Sequence, residues 1–220
     1  MNDFSPYTFG TMSLGRNPAD ISNDLAVARR AMESGVWFHS SPTYNNGFTF
    51  MVLRQAFDAD RARVPRLVVK VRDATVPLMR FEVEDSCRRL GLDGLDVAQL
   101  VSMDPQPGNL VDQLRRGDGP LMEELARLRA RGLIRRAVIF LTPENSDAAV
   151  EATQSELIDG VILYWNVTQC DCSQSAWAAI QNRKIPTLAL RTLGGGPADA
   201  RSAGLAGDVE GIMKAAGCRN

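Results

Sequence analysis

The sequence is poor in the residues that build many common functional sites. It contains one histidine, His39, and four cysteines, Cys87, Cys170, Cys172 and Cys218. Four cysteines do not make a disulfide framework in a chain of this length, and the one-residue spacing of Cys170 and Cys172 lacks the two intervening residues typical of a metal or redox motif. We therefore interpret the cysteines as structural or incidental and predict no metal site.

Net charge and long apolar runs are also missing. With 25 basic and 26 acidic residues the formal net charge is −1, whereas binding to nucleic acid requires a clustered basic excess. No stretch is apolar for the roughly 18 residues that a membrane helix needs. The first residues, MNDFSPYTFG, have neither the basic nor the apolar region of a signal peptide. We expect a cytoplasmic protein without nucleic-acid or membrane partners.

The sequence does contain an alternation of short apolar runs with segments of helical periodicity. Seven runs are predicted strands: Tyr7 to Gly10, Val36 to His39, Leu67 to Val71, Leu95 to Val101, Ala137 to Leu141, Gly160 to Tyr164 and Thr187 to Leu190. Between them, apolar residues recur every three or four positions, as from Ile21 to Met32. Pro120 is predicted to open one helix, and Gly91 to close another that buries Cys87 in the core.

Strands separated by helices predict a parallel sheet, because parallel neighbours need long crossover connections. The runs at 67–69 and 137–140 do not alternate with polar residues, which is typical of strands covered on both faces. Both a doubly wound sheet and a (β/α) barrel satisfy this pattern. No G-x-G-x-x-G motif follows the first strand to favour a dinucleotide-binding doubly wound sheet.

Seven segments of the chain resemble, in the same order, segments of the aldo-keto reductase superfamily. They are FGTMSLG (9–15), AMESGVWFHSSPTY (31–44), VVKV (68–71), VEDSCRRLGLDGLDVAQL (83–100), LARLRARGLIR (125–135), DGVILYWN (159–166) and IPTLALRTLGGG (185–196). Any one segment is a weak match, and their shared order and spacing carry the resemblance. It implies that residues 1–220 form a single TIM-type (β/α) barrel domain, with the functional side chains at the C-terminal ends of the strands.

The resemblance also implies a reaction, the reduction of an aldehyde or ketone by hydride from NADP(H), with a tyrosine as the acid. Tyr44, five residues after His39, matches this tyrosine, and Lys70 at the end of the third strand matches the family's lysine. An adjacent ammonium group stabilises a phenolate, so we expect Lys70 to make Tyr44 a better proton donor.

Two positions depart from the family's pattern. His39 stands where the family has an aspartate, and Val101 stands where it has the histidine that orients the carbonyl. We expect a neutral imidazole beside Lys70, and a lowered pKa for Lys70 in the absence of its carboxylate. Val101 offers no hydrogen bond to a substrate. A polar contact in the catalytic site and a structural role both stay open for His39.

The resemblance assigns the cofactor contacts to five residues: Asn166, Arg191, Leu193, Gly194 and Gly195. Glycines in the last turn would let backbone N–H groups approach pyrophosphate oxygens, although a triple glycine also fits a flexible exit from the barrel. Arg191 would either meet an anion or face solvent. The family's serine and asparagine after the fifth strand align with Phe140 and Leu141.

The tail of the chain diverges from the family. Residues 196–220 predict one short helix at about 207–216 and no eighth strand, so we expect seven β/α units and the loss of the region that grips the adenosine phosphate. An exposed sheet edge promotes aggregation. The barrel should therefore close with seven strands, or a partner such as a second copy of the chain should cover the edge.

Three functions remain open. The first is a divergent aldo-keto reductase in which Tyr44 and Lys70 still act, with weak activity or an unusual carbonyl substrate. The second is a pseudoenzyme or binding barrel that keeps the polar pocket without reduction. The third is another reaction class, with Lys70 or His39 as a base on a sugar-like or phosphorylated ligand.

Overall fold

The computed structural model describes residues 7–101, 108–166 and 169–192. Eight strands occur in this part: β1 (Thr8–Gly10), β2 (Trp37–Ser40), β3 (Leu67–Arg72), β4 (Leu95–Val101), β5 (Ile134–Phe140), β6 (Gly160–Asn166), β7 (Gln169–Cys170) and β8 (Thr187–Leu190). The helices are α1 (Ser22–Glu33), α2 (Phe48–Ala59), α3 (Val76–Leu90), α4 (Leu110–Arg116), α5 (Pro120–Ala130), α6 (Ser146–Ala152) and α7 (Gln174–Arg183). Two short 3₁₀ turns lie at Tyr44–Gly47 and Arg61–Arg63.

Seven of the strands form a parallel sheet in the order β1, β2, β3, β4, β5, β6, β8. The order follows the chain without reversal, which is the pattern of a (β/α) barrel and not of a doubly wound sheet. Strand β7 pairs antiparallel with the end of β6 and forms a hairpin outside this series. Within the described residues β8 does not pair with β1, so the seven strands form an open barrel. The predicted barrel of seven β/α units is confirmed.

The helices begin and end where local signals predict. In α3 the Thr75 side chain accepts a hydrogen bond from the Leu78 backbone N–H, and Gly91 closes the helix with φ 67°. Helix α5 begins at Pro120, as predicted. Cys87 lies on the buried face of α3, which confirms its interpretation as a core residue.

Two apolar layers hold the barrel together. The larger lies between the strands and the helices, where residues such as Phe38 and Val69 meet the buried faces of α2 and α3. The smaller fills the barrel interior and comprises Trp37, Val68, Val97, Val138, Phe140 and Ile162. Both strand faces are therefore covered, as the unbroken apolar runs predict. The inner layer forms the floor below the C-terminal ends of the strands.

Some predicted bounds were wrong. Strand β5 begins at Ile134 rather than Ala137 and ends at Phe140, and β6 continues to Asn166. The first three residues of β5 were missed because Arg135 and Arg136 interrupt the apolar pattern in a part of the strand that is not fully buried. The predicted tail helix at about 207–216 lies outside the described residues. In the described ranges, no helix combines the length and the apolar character that crossing a membrane requires.

Candidate active site

Three polar side chains occupy the inner face of neighbouring strands near their C-terminal ends: His39 on β2, Lys70 on β3 and Gln99 on β4. Lys70 and Gln99 are register partners, and both follow inner-layer residues, Val68 and Val97, at a spacing of two. Alternate residues of a strand share a face, so this spacing directs the polar groups into the barrel above its apolar floor. The predicted position of His39 and Lys70 at one end of the barrel is what the structure shows.

The loop after β2 brings Tyr44 to the same place. The Tyr44 backbone N–H donates to the Ser41 carbonyl at 3.2 Å, and Tyr44 opens a 3₁₀ turn in which Asn45 and Asn46 have φ 48° and 53°. Asparagine tolerates this left-handed conformation better than most residues. The Asn45 side-chain amide donates to the carbonyls of Met12 and Leu14 at 2.8 and 2.7 Å. The loop is thereby fixed on the segment after β1.

Gly47 fixes the other end of the turn. It has φ 88°, and its carbonyl accepts a hydrogen bond from the Arg89 guanidinium at 2.9 Å. A Cβ atom at this position would lie 2.3 Å from Nη2 of Arg89. The left-handed conformation favours glycine, and a side chain here would also displace the Arg89 guanidinium from the Gly47 carbonyl. The position of Tyr44 therefore depends on anchors at both ends of its turn.

Tyr44 and Lys70 are in contact. Lys70 Nζ lies 5.0 Å from the centroid of the Tyr44 ring, over its face. Burial raises the pKa of Tyr44 to about 12, and Tyr164 adds to this rise while Arg191 opposes it. Loss of water around the phenol is the leading cause of this rise, and the effect expected of Lys70 on the acidity of Tyr44 stays a prediction.

Lys70 has no carboxylate partner among the described residues. Burial lowers the pKa of Lys70, and the Arg191 guanidinium lowers it further. The direction agrees with the expectation from the missing aspartate. The leading cause is desolvation, which disfavours the charged amine.

His39 is buried and neutral. Its side chain is 6% exposed, and Nε2 lies 2.7 Å from Oε1 of Gln99. Burial lowers the pKa of His39 to about 4, the bond to Gln99 opposes this change and Lys70 adds to it. The direction agrees with the neutral state expected for this histidine beside Lys70. Since Oε1 can only accept a hydrogen bond, Nε2 carries the proton and Nδ1 is left as an acceptor.

Gln99 is the site residue that sequence reasoning missed. It is 1% exposed, and its Nε2 has no hydrogen-bond partner among the described residues. The sequence signal for Gln99 is that it is the one amide side chain in the otherwise mostly apolar run LDVAQLV. It lies two positions before Val101, so the two residues share a strand face. A buried polar side chain in such a run needs a partner. His39, 60 residues away, supplies one.

The strands on the other side of the barrel contribute aromatic rings and one cation. The Phe140 and Tyr164 rings meet edge to face with centroids 5.1 Å apart. The Arg191 guanidinium lies 3.9 Å from the Tyr164 ring centroid, and the Asn166 side-chain amide donates to the Arg191 carbonyl at 3.0 Å. We call His39, Tyr44, Lys70 and Gln99 the polar side of the site, and Phe140, Tyr164 and Arg191 the aromatic side.

The remaining predicted positions add few polar groups. Val101 lies half-buried at the end of β4, and Phe140 and Leu141 are buried apolar residues at the end of β5. Leu193, Gly194 and Gly195 lie outside the described residues. Among the residues in the described ranges, no group of three or more His, Cys, Asp or Glu side chains is placed to hold a metal ion.

The charges of the site fit a phosphate-bearing cofactor. Lys70 and Arg191 are both cationic at the site, and neither forms an ion pair with a carboxylate of the described residues. Phosphate oxygens are natural partners for such groups. The end of β5 adds no polar contact to a cofactor, because the side chains of Phe140 and Leu141 carry no donor or acceptor for the amide group of a nicotinamide. The described residues therefore fit the charge of NADP(H) on the Arg191 side and leave the β5 side without polar contacts.

Comparisons with known proteins give a fold and no close relative. No protein-family model matches the sequence, and no curated protein matches it either. Among solved structures, an aldo-keto reductase from Klebsiella pneumoniae in complex with NADPH has a TM-score of 0.64 and 23% identity, covering 83% of this chain and 62% of that one.

Two further solved structures give the same result. The holo form of an aldo-keto reductase from Bacillus halodurans has a TM-score of 0.64 and 21% identity, with coverages of 84% and 61%. An aldo/keto reductase from Brucella melitensis has a TM-score of 0.63 and 13% identity, with coverages of 86% and 68%. The chain thus spans 62% and 61% of the length of the Klebsiella and Bacillus enzymes. The resemblance seen in the sequence is confirmed at the level of structure: the protein has the (β/α)-barrel fold of the aldo-keto reductases.

Proposed function

We propose that the protein is a divergent aldo-keto reductase, an oxidoreductase that reduces an aldehyde or ketone with NADP(H) at a low rate. The observation that carries this proposal is the contact between Tyr44 and Lys70 at the C-terminal ends of neighbouring strands, with Nζ 5.0 Å from the ring centroid. In a barrel of this fold, that end of the strands is where catalytic side chains gather. The NADPH bound to the Klebsiella enzyme supports the choice of cofactor.

In this proposal Tyr44 is the proton donor. Its Oη gives its proton to the carbonyl oxygen, while NADPH, when bound, supplies the hydride to the carbonyl carbon. With a pKa of about 12, Tyr44 stays protonated throughout the neutral range. The Tyr44 hydroxyl therefore always carries the proton that it would donate, but it is roughly a hundredfold weaker acid than a tyrosine in water. Lys70, over the ring face, offsets part of the charge that develops on the phenolate.

The expected rate is low because two contributions are absent. Neutral His39 supplies no negative charge to stabilise the Lys70 ammonium, and the Val101 side chain supplies no hydrogen bond to the substrate oxygen. General acid catalysis by a positioned side chain typically contributes about 10²–10⁴-fold, and we expect the lower end of that range. Arg191 and Asn166 would contact the cofactor on the aromatic side.

A second candidate is a binding barrel that takes up a carbonyl or sugar-like ligand without reducing it. The observation that favours it is the hydrogen bond between His39 Nε2 and Gln99 Oε1, at 2.7 Å. A buried histidine that is already bonded to another side chain in this way is typical of a structural role. In this case Tyr44 and Lys70 would serve as polar contacts for the ligand.

One experiment separates the two candidates. The protein is titrated with NADPH and NADP⁺ to millimolar concentration, and the melting temperature and tryptophan fluorescence are followed. Ligand at 100 times Kd should stabilise the fold by about 2.7 kcal/mol. The bound protein is then mixed with an activated aromatic aldehyde, and NADPH absorbance is recorded. Binding with turnover supports the reductase, binding without turnover favours the binding barrel, and no shift contradicts the nucleotide site.

We also propose that a second copy of the chain covers the open edge of the barrel. Strand β8 is only half-buried, and in the described residues it does not pair with β1. Unpaired strand edges invite pairing with another chain. Sedimentation equilibrium should give a dimer that dissociates on dilution. A monomer at all concentrations would mean that the edge is covered within one chain.

A further inference from the structure

The hairpin formed by β6 and β7 brings two cysteine sulfurs together. Sγ of Cys170 and Sγ of Cys172 lie 3.6 Å apart. Cys170 is exposed and Cys172 is half-buried, so solvent reaches the pair. A disulfide bond is about 2.0 Å long, and the sulfurs need to approach by roughly 1.6 Å to form one. Their one-residue spacing differs from that of common redox motifs, which is why the sequence alone favours a structural or incidental role.

The backbone explains why the two thiols meet. Cys170 pairs with Trp165 across the hairpin, and the Asp171 backbone N–H donates to the Tyr164 carbonyl at 3.1 Å. Strand β7 ends at Cys170, and Cys172 lies in the bend that follows it, where the two sulfurs come together. Both carboxylate oxygens of Asp171 accept hydrogen bonds from the Gln169 side chain at 3.0 Å. These contacts fix the residue between the two cysteines.

We propose that Cys170 and Cys172 form a redox-active dithiol that closes to an intramolecular disulfide by exchange with a small-molecule disulfide. The Cys170 thiolate attacks one sulfur of the oxidant, breaks its S–S bond and releases one thiolate. Cys172, after losing its proton, attacks Sγ of Cys170 and releases the second. Two protein thiols are oxidised, one small disulfide is reduced to two thiols, and the two protons pass to the released thiolates.

The two cysteines have different roles in this exchange. Cys170 is the exposed member, so it meets the oxidant first. Burial, the neighbouring Cys170 and the charges of Asp147 and Asp171 together raise the pKa of Cys172 to about 12. Cys172 therefore reacts poorly with an external disulfide and well with the sulfur that lies beside it. The acidic neighbours should also favour a cationic oxidant such as cystamine over glutathione disulfide, which carries net negative charge.

The dithiol lies next to the aromatic side of the site. The carbonyl that holds Asp171 belongs to Tyr164, whose ring lies under Arg191. The Trp165 ring packs edge to face on Trp177 with centroids 4.1 Å apart. Closure of the disulfide would thus change the surroundings of two tryptophans, which provides a spectroscopic signal. The proposal stands whether or not the protein is a reductase.

Intact mass measurement tests the proposal. The untagged Cys218→Ser protein is incubated with cystamine or with glutathione disulfide, and remaining thiols are alkylated. The expected product has lost two hydrogens, carries no adduct and shows reduced tryptophan fluorescence, and it should form at least tenfold faster with cystamine. In the same background, Cys172→Ser should accumulate a mixed disulfide at Cys170, whereas Cys170→Ser should react at least tenfold more slowly.

Three outcomes would overturn the proposal: stable adducts on both cysteines of the parent protein, loss of two hydrogens in the Cys170→Ser protein, or a disulfide that links two chains. The variants Cys170→Ala and Cys172→Ala repeat the comparison in case a serine disturbs the hairpin. All variants are checked for an unchanged circular dichroism spectrum and melting temperature before oxidation.

Discussion

The polar side and the aromatic side of the site sit at the same end of one barrel, yet they are built in different ways. On the polar side, His39 and Gln99 are buried and bonded to each other, and Tyr44 is fixed by a loop anchored at both ends. On the aromatic side, Arg191 is exposed and contacts the site through the ring of Tyr164. The first side is set by β2, β3 and β4, and the second by β5, β6 and the residue that follows β8.

The difference concerns two requirements of the proposed reduction, a fixed proton donor and a bound cofactor. The polar side holds groups that can move a proton, and their geometry is over-determined by packing and hydrogen bonds. The aromatic side would hold the cofactor, and Phe140 on this side and the neighbouring Leu141 carry no polar side chain. Proton transfer needs atoms fixed within fractions of an ångström, whereas charge attraction to a phosphate tolerates a mobile partner. We therefore expect substitutions on the polar side to have the larger effects.

The largest effect is expected for removal of the proton donor. Tyr44→Phe should lower kcat for aldehyde reduction by about 10²-fold and leave NADPH binding unchanged, because only the hydroxyl is lost. Tyr164→Phe is the matched control, since it removes the same atom from the aromatic side and should cost less than about tenfold. Equal losses in the two variants would break the comparison. Steady-state kinetics and nucleotide titrations of the three proteins give the answer.

The next effect concerns the stability of the polar side at acidic pH. The unfolded chain protonates its histidine near pH 6.5, whereas His39 in the fold has a pKa of about 4. The unfolded state binds more protons in this interval, so the free energy of unfolding falls as the pH falls from 6.5 to 4. At 1.36 kcal/mol per pH unit, the loss is roughly 3 kcal/mol.

Above pH 6.5 both states are neutral, and His39 contributes no pH dependence. Urea unfolding of the parent protein and of His39→Gln is measured between pH 7 and pH 4. Carboxylates titrate in both proteins, so the difference between the two gives the contribution of His39 to the pH dependence of the free energy of unfolding. The variant should be more stable than the parent protein at pH 4 relative to pH 7. An identical pH dependence in the two proteins would show that folding does not lower the pKa of His39.

Much of the fold could be predicted from the sequence, because its determinants are local. Unbroken apolar runs, the turn signals at Gly91 and Pro120, and the regular alternation of elements predict parallel β/α units. The choice of a barrel came from the resemblance, since the order of strands in a sheet depends on contacts that no local pattern contains. Strand β5 was placed three residues late because Arg135 and Arg136 interrupt its apolar pattern.

The site was less predictable, for a physical reason. Tyr44, Lys70 and His39 could be named from spacing, but the acidity of Tyr44 depends on burial, and the partner of His39 is a residue 60 positions away. Desolvation is the leading cause of the raised pKa of Tyr44, and the extent to which the fold buries the ring cannot be read from residue spacing. The approach of Cys170 to Cys172 likewise depends on the β6–β7 hairpin, which the sequence pattern did not indicate.

A smaller effect is expected for the Gln99 amide. Gln99→Leu leaves the buried Nε2–H of His39 without an acceptor, which should lower the free energy of unfolding by about 2 kcal/mol. It should also lower the pKa of His39 further, because the bond to Gln99 favours the charged imidazole. Gln99→Glu should raise that pKa. The single histidine of the chain makes its NMR titration simple to assign, and an unchanged titration in both variants would exclude Gln99 as its partner.

The smallest effect is expected on the aromatic side. Arg191→Ala should change the free energy of unfolding by less than about 0.5 kcal/mol, because the side chain is exposed. It should weaken NADPH binding by about 1 kcal/mol at low salt, and this difference should shrink at high salt as the charge is screened. Arg30→Ala is the control, since its side chain is 84% exposed on α1, far along the chain from the site. An equal loss of affinity in the two variants would mean that Arg191 acts only through the net charge of the protein, and the aromatic side would then hold no phosphate contact of its own.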